Sequence, residues 1–158
     1  MKTCKTEFYE HIQGLLDHET VKLLDNFTQH FKYTRLRHSL DVAYYSFFIS
    51  RLFCLDSRSA ARAGLLHDLF FHEEGQHSGS LLISHPRIAL ENARQICSLN
   101  KVEENIILRH MWLLTPCPQK YVEGFVVTFV DKYCAAKEFI VSTFMKKHRM
   151  RTAFSVGV

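Results

Sequence analysis

The chain has 158 residues, of which 47% are hydrophobic, 13% aromatic and 23% charged. This composition excludes a disordered chain, and with only 6 Gly and 3 Pro it favours a compact helical domain over a β-sandwich. The formal net charge of +4 is mildly basic, but no wider basic stripe or interleaved aromatic platform accompanies it, so a nucleic-acid partner is not expected.

Apolar positions recur with a period of about 3.6 residues, which predicts an all-α protein. The first four helices are predicted at about 5–16, 19–31, 37–54 and 57–71, and Asp56 suits the N-cap of the fourth. A polar, glycine-bearing loop is expected at 72–80.

The second half of the chain continues the same helical pattern. The remaining helices are predicted at about 86–98, 101–111 and 121–146, with Pro86 as the first residue of its helix and a loop through 115–118. Because no repeat or Pro/Gly-rich linker interrupts the sequence, we expect one domain over 1–158. Its N-terminal helices would occupy 1–33, and a basic C-terminal tail would occupy 147–158.

The cysteines are odd in number, widely scattered and never in a C-x-x-C pair. This spacing is typical of reduced thiols, not of a disulfide framework or a zinc knuckle. The N-terminus has no apolar signal core, and no charge-free apolar stretch approaches the roughly 18 residues of a membrane span. The sequence therefore predicts a soluble, cytoplasmic protein with no membrane partner.

Two aspartates interrupt segments that are otherwise apolar. Asp68 lies within the run 63–71, and Asp131 directly follows the run 125–130. Neither has a Lys or Arg three or four positions away on its own predicted helix, and a buried carboxylate without a partner costs several kcal/mol. The compensating charge must come from elsewhere in the fold, and nearby histidines indicate that a metal ion supplies it.

Four histidines are predicted at helix ends. His38 lies near the start of the third helix, His67 precedes Asp68, His85 lies at the entrance of the fifth helix, and His110 ends the sixth. Helix ends that face one another across a bundle readily form a metal site with ligands from several helices.

The order of these histidines and aspartates resembles the HD-domain superfamily of metal-dependent phosphohydrolases, in its six-ligand, two-metal branch. The resemblance covers about 34–138, which would be the core of a single HD-type helical domain. It rests on these strings: Arg37-His38-Ser39, Gly64-Leu65-Leu66-His67-Asp68, Ser84-His85-Pro86, Ile107-Leu108-Arg109-His110-Met111 and Val130-Asp131-Lys132-Tyr133.

The resemblance implies a binuclear metal site and a hydrolytic reaction. One metal would be held by His38, His67, Asp68 and Asp131, and the other by His85, His110 and the shared Asp68. The ligand types suit two divalent transition-metal ions, with Fe or Mn favoured and Zn, Co or Ni possible. A hydroxide bridging the metals would attack phosphorus and hydrolyse a phosphate ester or anhydride, in a nucleotide or another small phosphate.

Three cations are candidates for contact with the substrate phosphate. Lys132 follows Asp131 and is assigned catalytic and substrate-binding roles beside the catalytic Asp68, with a surface lysine as the alternative. Arg87 and Arg109 neighbour predicted ligands, although side chains one residue apart on a helix do not share a face.

The chain departs from the family pattern after the HD pair. Several HD groups carry Lys or Glu there in a fixed register, whereas this chain continues Leu-Phe-Phe-His-Glu-Glu, and no Gly-Tyr-Pro follows His110. A cyclic dinucleotide phosphodiesterase of the Gly-Tyr-Pro type is therefore not expected. Two interpretations of Glu73 remain open: it is either a proton-transfer residue or a solvated acid in the loop. The alternative functions are a non-catalytic metal- or nucleotide-binding module that acts as a sensor or regulator, and a purely structural helical protein. A homodimer is possible.

Overall fold

The structure is a computed structural model that describes residues 3–30, 33–71 and 79–155. Helices dominate these ranges, so the prediction of an all-α fold is confirmed. The helices are α1 (Cys4–Leu16), α2 (Glu19–Lys22), α3 (Arg35–Leu52), α4 (Ser57–Leu66), α5 (Gly79–Ile96), α6 (Lys101–Arg109) and α7 (Val122–Ser155). A 3-10 helix spans Leu23–Asn26, and β1 (Thr28–His30) pairs antiparallel with β2 (Tyr33–Thr34).

Polar N-caps determine where five of the helices begin. The side chains of Thr3, His18, Thr34, Asp56 and Asn100 each accept a hydrogen bond from a backbone N–H in the first turn that follows. Such caps satisfy donors that would otherwise lack a partner. The starts of these helices lie within about two residues of the predicted ones, and Asp56 is confirmed as the N-cap of α4.

The predicted helix at 19–31 is wrong from Leu23 to His30, and Phe31 lies outside the described residues. The chain turns through the 3-10 helix and enters β1, which also directs the side chain of Gln29 towards Asp68, with Gln29 Nε2 3.0 Å from Asp68 Oδ2. This polar contact joins residues 39 positions apart. Local periodicity carries no information on such a contact, which explains the error.

Three further helix bounds differ from the prediction. Pro86 lies inside α5, which begins seven residues earlier at Gly79, so the helix continues although proline has no N–H to donate. Helix α4 ends at Leu66, and the chain turns through Leu69 and Phe70. Helix α7 runs to Ser155, so the predicted basic tail is helical to that residue. The Lys, Arg, Met and Ala of this segment have high helix propensity.

Helices α3 and α4 approach each other closely at the centre of the fold. A Cβ on Gly64 would lie 2.9 Å from the Cα of Ala43, so only glycine fits there. Residues of α1, α4, α6 and α7 complete the core, including Phe8, Leu65, Ile106 and Val127. None of the helices in the described ranges combines the length and apolar character that a membrane crossing would need.

Candidate metal centre

The fold brings all six predicted ligands together in its interior. Each of them is buried. His38 lies in the first turn of α3, His67 and Asp68 directly after α4, His85 within α5, His110 directly after α6, and Asp131 within α7. Their convergence agrees with the sequence analysis, and their role as metal ligands stays a prediction.

The first group of converging atoms belongs to Asp68, His85 and His110. The Nε2 atoms of the two histidines lie 3.0 Å apart. Asp68 Oδ1 lies 3.3 Å from His85 Nε2 and 3.5 Å from His110 Nε2. Nδ1 of His110 donates to the carbonyl of Ile107 at 2.8 Å. This bond leaves the Nε2 lone pair free to coordinate a cation.

The second group contains His38, His67 and Asp131, and it also includes Asp68. His67 Nε2 lies 3.4 Å from Asp68 Oδ2 and 3.7 Å from Asp131 Oδ1, and His38 Nε2 lies 3.1 Å from the same Asp131 oxygen. Nδ1 of His67 donates to the carbonyl of Gly64 at 2.8 Å. Nε2 is therefore the His67 nitrogen that would bind a metal. Burial opposes the charged ring, but Asp68 and Asp131 outweigh burial and raise the pKa of His67, so a metal would displace the proton from Nε2.

Two of these buried atoms lack a hydrogen-bond partner within the described part of the chain. They are His67 Nε2 and Asp68 Oδ1. An unsatisfied buried polar atom costs about 1–3 kcal/mol, and a cation bound by their lone pairs would remove that cost. Potential ligand atoms of His38, His67 and Asp68, and likewise of Asp68, His85 and His110, lie within 4.8 Å of one another. Ligands about 2.0–2.2 Å from one ion have similar separations, so the residues fit and can hold metal ions.

The histidines and aspartates strongly shift each other's pKa values. Burial alone would raise the pKa of Asp68, but the neighbouring imidazoles of His67, His110 and His85 hold it well below the usual range. Burial likewise opposes ionisation of Asp131, yet its pKa also lies well below the usual range because of His38 and His67. Both carboxylates therefore remain negatively charged and attract cations.

The pKa values of His38 and His110 move in opposite directions. Burial would lower the pKa of His38, but its hydrogen bonds to Asp131 and Glu138 outweigh burial and raise the pKa to about 10. Burial lowers the pKa of His110 although the Asp68 carboxylate lies close to it. His110 is thus neutral at physiological pH, whereas His38 must release a proton before its Nε2 can bind a metal.

Sequence reasoning missed Glu138, which holds the far side of His38. Glu138 is buried, and its Oε1 lies 2.9 Å from His38 Nδ1. Carboxylates that accept a hydrogen bond from a metal-binding histidine fix the orientation of its ring. Glu138 lies seven residues after Asp131, on the same face of α7, so this spacing could have identified it.

Sequence reasoning also missed a chain of contacts behind Asp68. Gln29 Nε2 donates to Asp68 Oδ2 at 3.0 Å, and Arg35 Nε donates to Gln29 Oε1 at 2.9 Å. The buried Arg35 also donates to the carbonyl of Phe70 at 2.6 Å, and its guanidinium carbon lies 3.8 Å from the centre of the Phe70 ring. These contacts fix the Asp68 turn against β1.

Of the three predicted substrate-binding cations, only Lys132 touches the cluster. Its Nζ lies 2.7 Å from Asp131 Oδ2. The expectation that the charge compensating Asp131 must come from elsewhere in the fold is therefore wrong, because the next residue on the same helix supplies part of it. Arg109 donates to the carbonyl of Pro118 at 2.6 Å. Arg87 is exposed on α5 and has no contact with the cluster within the described ranges. Glu73 and most of the predicted 72–80 loop lie outside the described residues.

The comparisons with known proteins give no match. No protein-family model, curated protein or solved structure is significantly similar to this chain. The likeness to the HD-domain superfamily therefore depends on the site residues, their order along the chain and the helical fold that holds them.

Proposed function

We propose that this protein is a metal-dependent phosphohydrolase of the HD superfamily. Its substrate would be a phosphate ester or anhydride in a nucleotide or another small phosphate. The observation that carries the proposal is the position of Asp68, whose carboxylate belongs to both groups of potential ligands. A carboxylate shared in this way is the arrangement by which two cations are held side by side.

In this proposal the two metals have separate histidines and share one carboxylate. The first would be held by His38, His67, Asp68 and Asp131, and the second by Asp68, His85 and His110. Imidazole and carboxylate ligands suit Fe, Mn, Zn, Co or Ni, and we favour Fe or Mn. When bound, such ions supply Lewis acidity, which lowers the pKa of water and offsets the negative charge of phosphoryl oxygens.

The residues of the chain would orient this site and bind the substrate. The carbonyls of Gly64 and Ile107 keep the rings of His67 and His110 in the ligand tautomer. Lys132 is about one-third exposed, and its ammonium lies beside Asp131. It can therefore contact both the cluster and a phosphate oxygen that arrives from solvent.

The proposal is tested by a substrate screen with metal-loaded protein. The probes are generic phosphomonoesters and phosphodiesters and the nucleoside mono-, di- and triphosphates, with Mn²⁺ or with Fe²⁺ under anaerobic, reducing conditions. We expect release of phosphate or of a nucleoside phosphate from at least one probe. Asp68→Asn keeps the side-chain shape without the negative charge and should lower turnover by at least about 100-fold.

Asp17→Asn is the matched control for that variant. Asp17 is exposed at the end of α1 and accepts hydrogen bonds from Gln13, outside the cluster. It should retain the wild-type rate. Full turnover by Asp68→Asn would contradict the proposed mechanism.

A second candidate function is a metal-loaded module that binds nucleotides without hydrolysing them. It is favoured by the absence of the usual Lys after the HD pair. Nucleotide binding measured by calorimetry, with no product formed from the same nucleotide, would support this second function against the first.

A further inference from the structure

Helix α7 has apolar residues both on its core-facing side and on its solvent-facing side. One side packs into the core through Val127, Val130 and Cys134. The other side faces solvent and carries a second apolar series with steps of four and three residues. This series is Val122, Val126, Phe129, Tyr133, Ala136 and Ile140, and Phe144 lies one turn further on. Apart from Val126 its members are exposed, and the larger ones are more than half exposed.

Helix α3 lies antiparallel beside α7 and extends this apolar surface. The rings of Tyr45 and Tyr133 lie 6.2 Å apart, and the backbone N–H of Asp56 donates to Glu123 near the other end of α7. Phe48 and Leu52 follow Tyr45 by three and seven positions, so they lie on the same side of α3. Both are exposed. We call the α7 series together with Phe48 and Leu52 the α3–α7 face.

The α3–α7 face is large enough for a stable interface. Its seven large exposed side chains are Phe48, Leu52, Val122, Phe129, Tyr133, Ile140 and Phe144. A fully buried aromatic side chain covers about 150–250 Å², so at half to two-thirds exposure the four aromatic residues leave about 100 Å² each. With somewhat less on each of the three aliphatic residues, the face exposes roughly 600–700 Å². A standard interface buries about 800 Å² on each partner. Typical monomers expose apolar patches of only about 300–600 Å².

The spacing of the series indicates a helix as its partner. Apolar residues in alternating steps of four and three form the seam along which two helices pack as a left-handed pair. None of the seam positions from Val122 to Ile140 carries a charge, so the complementary surface is another apolar seam. A second copy of α7 supplies one, and in a two-fold dimer the same face serves both subunits.

We propose that the α3–α7 face binds a second copy of this chain, with the two α7 helices packed against each other about a two-fold axis. The dimer would cover the exposed apolar series of α7, so that its solvent-facing side is buried as its core-facing side already is. The proposal is independent of the metal site and of any activity.

The test is the molar mass of the full chain in solution, measured by light scattering after gel filtration at about 1–100 μM protein. We expect the mass of a dimer for the wild type. Ile140→Glu places a charge in the seam and should give a monomer. Ile83→Glu is the matched control, because Ile83 is also more than half exposed but lies on α5; it should remain a dimer. Circular dichroism establishes that each variant is folded.

A cross-linking measurement keeps the proposal testable if Ile140→Glu fails to fold. Ala136 lies in the seam, and Ala136→Cys is compatible with a helix. In a background in which the exposed Cys54 and Cys117 are replaced by Ser, a short bis-maleimide should link two chains through the new cysteine. The same background without that substitution should not be linked.

Three results would overturn the proposal. They are a monomeric wild type over the whole concentration range, a dimer that survives the Ile140→Glu substitution, and a folded Ala136→Cys variant that does not cross-link. Because the C-terminal part of α7 is basic in sequence, flotation with vesicles of phosphatidylcholine and about 30% phosphatidylserine is measured in parallel. If the protein is a monomer and floats with these vesicles, the α3–α7 face binds a membrane surface and not a second copy of the chain.

Discussion

Glu138 is the residue on which the orientation of His38 depends. Its carboxylate lies 2.9 Å from His38 Nδ1 and about 98% of the residue is buried, so neither side chain can easily turn away. We predict that Glu138→Gln weakens metal binding by about 10–100-fold, because an amide holds the imidazole less strongly and lowers its basicity. Titration with Mn²⁺ against a chelator measures the change.

The exposed Glu91→Gln on α5 is the control for this variant. It makes the same chemical change away from the cluster and should bind metal as the wild type does. If Glu138→Gln bound Mn²⁺ as tightly as Glu91→Gln, Glu138 would have no role in orienting the ligand.

The six clustered residues could be predicted from the sequence because each breaks a local pattern. Asp68 and Asp131 are acids in apolar runs, and the histidines lie near predicted helix ends. Glu138 breaks no local pattern, since it follows two alanines and a lysine on an ordinary amphipathic turn, and only its seven-residue spacing from Asp131 marks it. Gln29 could not be found, because its role depends on a strand that the helical periodicity concealed.

Gly64 determines how closely α4 approaches α3, and this approach places His67 and Asp68 opposite His38. A Cβ at Gly64 would meet backbone atoms of Ala43, at 2.9 Å from Cα and 3.1 Å from N. We predict that Gly64→Ala lowers the free energy of unfolding by about 1–3 kcal/mol, because two backbones must separate. Urea denaturation followed by circular dichroism measures the change.

Gly14→Ala is the control for the Gly64→Ala variant. Apart from the adjoining backbone of α1, no atom of the described residues lies within 4 Å of a Cβ at Gly14, which is exposed inside α1. Alanine should therefore stabilise the protein there by about 0.5–1 kcal/mol, since it has the higher helix propensity. If Gly64→Ala were as stable as Gly14→Ala, the close approach of α3 and α4 would not limit the fold.

The predictability of each helix depends on whether its signals are local. The starts of α1, α4 and α6 follow from N-caps that bond within the next turn, so the sequence defined them well. The end of α4 and the entry of α5 depend on the cluster and on packing between distant segments. The rule that proline favours a first turn therefore gave the wrong start for α5.

In the whole molecule, the buried cluster links metal binding to folding. A ligand that binds only the folded state, and that is present at a concentration about 100 times its dissociation constant, adds about 2.7 kcal/mol to the free energy of unfolding. For a chain of this length, 1 kcal/mol shifts the melting temperature by about 2–4 °C. We therefore predict that removing the metal with EDTA lowers the melting temperature by about 5–10 °C, as measured by calorimetry.

Asp68→Asn provides the comparison for this experiment. Since it lacks the shared charge, its melting temperature should be nearly the same with Mn²⁺ and with EDTA. A wild-type protein whose melting temperature did not depend on metal would contradict the link between the cluster and folding.

The central claim is that Asp68 lies between two metal ions. Anomalous diffraction from crystals of the Mn²⁺- or Fe²⁺-loaded protein, recorded on both sides of the metal absorption edge, tests it most directly. The account predicts two anomalous peaks, one beside His38, His67 and Asp131 and one beside His85 and His110, with the Asp68 carboxylate between them. Crystals soaked at saturating metal that showed no peak at these residues would contradict it.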